Sequence, residues 1–177
     1  MKHSCIAVVV LIAFLPIWAL PANAQNQDDI IISADGSVLS AAPALLPPAL
    51  LQTDNTYTLT TNTTGMIIVN ASNIVLDGTG HEVQSIFLHG TTNVTVKNFI
   101  INCPHEQGRY YRYGVIGIAL ENATNSVVKN NTVTGFASIH GISGTLFAGI
   151  HLIGGSANTI TYILNSRKFF NLQAGVG

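Results

Sequence analysis

The stretch Pro104-His105-Glu106-Gln107-Gly108-Arg109-Tyr110-Tyr111-Arg112-Tyr113 is the part of the chain densest in chemistry-bearing side chains. It gathers two arginines, three tyrosines, a histidine and a glutamate in a sequence of which only 8% is charged. Tyrosine rings stack on pyranose faces, and a guanidinium pairs bidentately with a uronic carboxylate. His105, Glu106, Arg109, Tyr110, Tyr111, Arg112 and Tyr113 are therefore candidate ligand-binding residues for a polysaccharide or cell-surface glycan. The plainer alternative is a solvated loop whose tyrosines pack over the side of the domain. A second loop runs from Phe136 to Ala148, and its His140 is a candidate to face the first. A histidine beside Gly141 is also an ordinary turn residue.

Acid–base chemistry on a glycan needs two titratable groups converging at a cleft. From Tyr57 onward the carboxylates are Asp77, Glu82, Glu106 and Glu121. Asp77 and Glu121 fall at different offsets of the repeat described below and do not form a column. Asp77-Gly78 reads as a turn. No catalytic residue is assigned, and catalysis by this chain alone is disfavoured. Copper or zinc wants two or three convergent histidines. His89 and His151 sit at outward strand positions but at different offsets and two coils apart, while His81 and His105 lie at corners. No metal ligand is assigned and no cofactor is evident.

The elements that must position these residues begin with a leader. Lys2 and His3 precede an apolar run from Cys5 to Leu20, and Pro21-Ala22-Asn23-Ala24 has the small-residue spacing of a cleavage site. Pro16 and Pro21 interrupt the run before it reaches the roughly 20 residues of a membrane span. Residues 1–24 are expected to be a signal peptide. The rest is expected outside the cytoplasm, secreted or at the cell surface, with no membrane span. It is long enough for one domain. The formal net charge of −1 argues against nucleic acid, which demands clustered lysine and arginine. Cys103 is the one cysteine left after cleavage, so no intrachain disulfide forms; it is expected to be a small buried hydrophobe.

Residues 25–56 carry little periodicity. Pro43, Pro47 and Pro48 break any long helix there, and the segment is expected to cap the first coil. From Gly65 one pattern recurs, opening Gly65-Met66-Ile67-Ile68, Ser85-Ile86-Phe87-Leu88, Gly117-Ile118-Ala119-Leu120 and Gly149-Ile150-His151-Leu152. Alternation with a period of two is a strand with one face buried. It predicts one internal column of Met66, Ile86, Ile118 and Ile150 and another of Ile68, Leu88, Leu120 and Leu152. Asn73, Asn93 and Asn125, then Ala157, mark a corner eight positions on. Leu76, Val96, Val128 and Ile160 lie in a second strand, and Asn98 and Asn130 mark the next corner. Openings near 65, 85, 117 and 149 are spaced by 20 residues and then twice by 32, which fits a bare coil followed by two coils carrying a loop. Self-similarity at such a period marks a solenoid. The expected fold is all-β, a short single-stranded right-handed parallel β-helix over residues 57–177. Asn62, Asn70, Asn93, Asn122 and Asn130 open Asn-x-Ser/Thr triplets, which an Asn- and Thr-rich turn pattern also generates by chance.

The runs Asn125-Ser126-Val127-Val128-Lys129-Asn130-Asn131-Thr132-Val133 and Gly149-Ile150-His151-Leu152, with Ser156-Ala157-Asn158-Thr159-Ile160, resemble the repeats of NosD-type periplasmic proteins and their pectin-lyase-like relatives. Thr56-Tyr57-Thr58-Leu59-Thr60 followed by Asn73-Ile74-Val75-Leu76-Asp77-Gly78 is similar to the first coil of many of them. The resemblance spans Tyr57 to Thr161 and speaks for the fold more than for a function. It implies calcium or copper as candidate cofactors and leaves three functions open. The leading one is a surface module that binds carbohydrate or another extracellular partner without catalysis. The others are a polysaccharide lyase or glycoside hydrolase with part of its active site elsewhere, and a copper-delivery accessory. After Thr161 the pattern fades, so the chain is expected either to be part of a longer protein or to have this open end docked by another chain.

Overall fold

The computed structural model describes residues 29–40, 49–103, 114–134, 146–161, 164–165 and 170–173. These residues form strands and no helix. Two antiparallel hairpins come first, β1 (Ile30–Ile32) with β2 (Val38–Ser40) and β3 (Leu50–Thr53) with β4 (Thr56–Leu59). The later strands are β5 (Met66–Val69), β6 (Val75–Asp77), β7 (Glu82–Val83), β8 (Ser85–His89), β9 (Thr95–Lys97) and β10 (Ile100–Asn102). They continue with β11 (Gly114–Glu121), β12 (Val127–Lys129), β13 (Thr132–Thr134), β14 (Leu146–Ile153), β15 (Thr159–Thr161), β16 (Leu164–Asn165) and β17 (Phe170–Gln173). All pairing among β4 to β17 is parallel.

The strands make three sheets. Sheet A has the order β17-β14-β11-β8-β5-β1-β2, sheet B the order β15-β12-β9-β6-β4-β3, and sheet C the order β16-β13-β10-β7. From β5 the chain therefore visits A, B and C in turn and begins again, each circuit pairing with the one before. Short strands follow from the corners. Asn73, Asn93, Asn125 and Ala157 between sheets A and B have φ of 60°, 57°, 51° and 55°, and Asn98 and Asn130 between B and C have 59° and 55°. Asparagine tolerates this left-handed backbone better than most residues.

The interior consists of vertical files. Leu76, Val96 and Val128 are fully buried and stack in sheet B between Tyr57 and Ile160. Val83, Ile101 and Val133 do the same in sheet C. In sheet A the expected columns need correction in the first circuit. Ile67, not Met66, pairs with Ile86, and Val69, not Ile68, pairs with Leu88. The files are Ile30, Ile67, Ile86, Ile118, Ile150 and Ile32, Val69, Leu88, Leu120, Leu152. The shift has two causes. Met66 to Val69 are all apolar, so their alternation cannot be read. Counted from the paired Leu88 and Val69, the second circuit also holds one residue more before its corner asparagine: His89-Gly90-Thr91-Thr92 precede Asn93, whereas only Asn70-Ala71-Ser72 precede Asn73. Gly90 accommodates the extra residue at φ 61°. Each filed aliphatic contributes roughly 1.5–3 kcal/mol of burial.

Sheet membership starts at Ile30, earlier than the periodicity from Tyr57 predicts. Ile30 and Ile32 are buried and head the two files of sheet A. Three consecutive isoleucines give no alternating signal. The buried Asp29 Oδ1 accepts the Met66 amide at 3.0 Å, and the Tyr57 hydroxyl donates to the Gly36 carbonyl at 2.7 Å. A Cβ at Gly36 would lie 2.8 Å from that hydroxyl, and its φ is +85°. Beyond Thr161, where the pattern fades, β16 and β17 still pair in register with β13 and β14.

Corner amides tie the circuits together. Asn93 Nδ2 donates to Asn73 Oδ1 at 2.8 Å, and Asn125 Nδ2 donates in turn to Asn93 Oδ1. Ala157 occupies the next rung and has nothing to donate. Alanine in the left-handed region costs roughly 1–2 kcal/mol. Ala157→Asn is expected to add the missing rung and raise stability by about 1 kcal/mol, read as a higher urea midpoint with an unchanged slope. A lowered midpoint would show that the ladder contributes nothing.

Candidate functional site

His105, Glu106, Arg109, Tyr110, Tyr111, Arg112, Tyr113 and His140 lie outside the described residues, but the roots of their two loops are described. In sheet C, Asn102 pairs with Thr134, and the Cys103 amide donates to the Thr134 carbonyl at 3.3 Å. In sheet A, Gly114 pairs with Leu146. Residues 104–113 and 135–145 thus depart from and return to the same corner, between sheets C and A, on consecutive circuits. One circuit earlier that corner is the single residue Gln84, whose amide donates to the Gly65 carbonyl at 3.1 Å. Gln84 is buried, and its Oε1 accepts no hydrogen bond from any described residue.

Both loops lead into strands of sheet A, β11 and β14. Ile68, Phe87, Ala119 and His151 form one outward file, yet Phe87, Ala119 and His151 are buried. Phe87, Ala119 and Ile116 form a second apolar cluster with Ile68 packed against it. His151 is 2% exposed, and burial lowers its pKa, which keeps the imidazole neutral.

The next outward file holds His89, Glu121 and Ile153. His89 Nδ1 lies 3.1 Å from Glu121 Oε2, across two neighbouring strands. The imidazole also stacks on Phe87, with centroids 6.0 Å apart and planes 13° from parallel. Its side chain remains 55% exposed, while that of Glu121 is 15% exposed. A carboxylate on Nδ1 fixes the ring orientation and leaves Nε2 for a ligand. Sequence reasoning missed this pair, although a signal existed: His89 and Glu121 each stand fifth from the opening residue of their segments, Ser85 and Gly117. As expected from their differing offsets, His89 and His151 lie in separate files. Among the described residues no three of His, Cys, Asp and Glu come together.

Asp77 and Glu82, the other described carboxylates of the circuits, are committed to structure. Asp77 on sheet B meets Lys97 Nζ at 2.9 Å through Oδ2. Its Oδ1 accepts from Asn98 Nδ2 and from the Thr79 amide, each at 3.0 Å. Glu82 on sheet C accepts from Asn102 Nδ2 at 2.7 Å. Asn62 Oδ1, in the first of the Asn-x-Ser/Thr triplets, accepts the Glu82 amide at 3.0 Å and faces His81 Nδ1 at 3.2 Å. Comparison with family models, with curated proteins and with solved structures returned no match.

Two outcomes follow. Burial pushes the Asp77 pKa up, but Lys97, Asn98 and the Thr79 amide together outweigh it, and the net direction is down. The stabilisation is therefore present above the usual carboxylate pKa of about 3.9 and lost as pH falls through the lowered value. Asp77→Asn is expected to cost about 1 kcal/mol at neutral pH, with the difference from wild type vanishing in acid; a constant difference in urea melts across pH would refute the linkage. Cys103 is 5% exposed, its Sγ lies 3.7 Å from the Ile116 carbonyl, and burial pushes its pKa up to about 12. Its reaction with a disulfide reagent at pH 8 is expected to be at least roughly 100-fold slower in the folded than in the unfolded chain. Comparable rates would place the thiol at the surface.

Proposed function

We propose that this chain is an exported right-handed parallel β-helix that binds carbohydrate on its outer face without catalysis of its own. The observation that carries this reading is the in-register pairing at both loop roots, Asn102 with Thr134 and Gly114 with Leu146. Two loops rooted on neighbouring circuits at one corner are a means of presenting side chains from a rigid stack. The first loop supplies Tyr110, Tyr111 and Tyr113 for stacking and Arg109 and Arg112 for a uronic carboxylate. Binding is favoured over a lyase or hydrolase because the described carboxylates of the circuits stand on different sheets, Glu121 on A, Asp77 on B and Glu82 on C. They do not converge on one scissile bond.

The test is titration of the exported protein with oligogalacturonate and alginate oligosaccharides. The double variant Tyr110→Ala/Tyr111→Ala is expected to lose at least roughly tenfold in affinity while melting like wild type, since each stacked ring contributes about 1 kcal/mol. Unchanged affinity would discard the loop assignment. Release of unsaturated or reducing products from these substrates, with or without calcium, would discard the non-catalytic reading.

A further inference from the structure

We infer that His89 and Glu121 form a second sugar-binding position, one that takes neutral, hydroxyl-bearing rings rather than uronic acids. The inference rests on the carbohydrate-binding reading but not on the loop residues. Its first support is the geometry of the pair. Glu121 Oε2 is engaged by His89 Nδ1 at 3.1 Å, which leaves Glu121 Oε1 to accept from a sugar hydroxyl. In the tautomer with its proton on Nδ1, His89 offers Nε2 as a second acceptor to a neighbouring hydroxyl. An accepting carboxylate oxygen and an accepting ring nitrogen on adjacent strands suit the hydroxyl donors of a sugar.

The second support is the platform. One face of the imidazole is backed by the buried Phe87 ring, and the His89 side chain is 55% exposed. A ring held from behind and open in front presents a flat surface to the C–H face of a pyranose without ordering a free side chain on binding. Asn122 follows Glu121 at the corner, exposed and at φ 53°. A Cβ on Gly154 would lie 2.5 Å from the Asn122 Oδ1, so glycine at 154 leaves room for this amide at the corner that follows Glu121.

Charge supplies the selectivity. The strands of sheet A contain no lysine or arginine, and Lys97 and Lys129 both stand on sheet B. A uronate brought to Glu121 would set two carboxylates together with no lysine or arginine on the strands of sheet A to offset them, an arrangement that disfavours ionised acids. The root of the first loop and Glu121 stand at opposite ends of β11. From Gly114 at the loop root to Glu121 is about 23 Å of extended chain at ~3.3 Å per residue.

The experiment titrates the full exported chain with gluco-, manno- and galacto-hexaoses and, separately, with hexagalacturonate. Wild type, His89→Ala, Glu121→Gln and Tyr110→Ala/Tyr111→Ala are compared, with thermal melting as the control for folding. Affinity for the best neutral hexaose is expected to fall at least roughly tenfold in both His89→Ala and Glu121→Gln, the size of one lost charge-assisted hydrogen bond. It is expected to persist in the tyrosine variant, while hexagalacturonate shows the reverse pattern. Should His89→Ala melt early, the near-isosteric Glu121→Gln carries the test. Neutral-sugar binding that survives both histidine and glutamate variants, or is lost only with the tyrosines, overturns this position and leaves the carbohydrate-binding reading standing. Binding of neither sugar class to wild type overturns both.

Discussion

Parallel stacking allows no circuit to choose its own register. Each inward side chain touches its equivalents above and below, and a slip of one residue would turn a whole strand's apolar set outward. Ile118 must meet Ile86 and Ile150, and Val128 must meet Val96 and Ile160, at the same time. Differences in length between circuits are therefore confined to corners. The corner between sheets C and A absorbs the large ones, from the single residue Gln84 to the two long loops. The corner between A and B absorbs one residue, with Gly90 taking up the backbone strain. Functional variation is pushed to the places the stack leaves free.

The same constraint governs polar groups inside the corners. Sharp turns expose amides and carbonyls that no sheet ladder can satisfy, and burying them unpaired is costly. Asn131 answers this twice, accepting the Phe99 amide at 2.9 Å and donating to the Val96 carbonyl at 3.1 Å. Asn158 does the same one circuit on, accepting the Ser126 amide at 3.0 Å and donating to the Ala123 carbonyl at 2.8 Å. Each bond spans two circuits. Corner asparagine, buried at 131 and half-buried at 158, is thus a vertical tie, which explains how a chain so poor in charge keeps its turns aligned. Thr91 and Gln84 are exceptions: both are buried, and neither the Thr91 hydroxyl nor Gln84 Oε1 has a partner among the described residues.

How much of this was legible in the sequence depends on whether a segment alternates. Val96 and Ile160 sit between polar neighbours, Leu76 and Val128 each precede a charged residue, and all four stand three positions after a corner residue, so their file reads directly from spacing. Met66 to Val69 and Ile30 to Ile32 are apolar throughout, and there the face is decided by partners far away in sequence, which no local pattern contains. The His89–Glu121 pair was legible in principle, because stacking brings together residues at equal offsets even when 32 positions separate them. Reading it required scoring outward positions by the repeat, not only inward ones. The loop residues from His105 to Tyr113 cannot be placed by periodicity at all, since an insertion is by definition what the repeat does not specify.

Charge is distributed between the outer faces by the same logic. On sheet B, Asp77 and Lys97 are adjacent in one file and largely spend their charges on each other and on a turn, so that face is a latch. On sheet A, the one carboxylate of the described strands meets an imidazole rather than a lysine, and that imidazole stays open to solvent. An ammonium at the position of His89 would neutralise Glu121 and bind water strongly. A flat ring backed by Phe87 orients the carboxylate while leaving an apolar surface beside it. Polar acceptors next to an exposed flat ring, on a sheet whose strand spacing is fixed by its core, make a surface suited to a ligand that alternates C–H faces with hydroxyls.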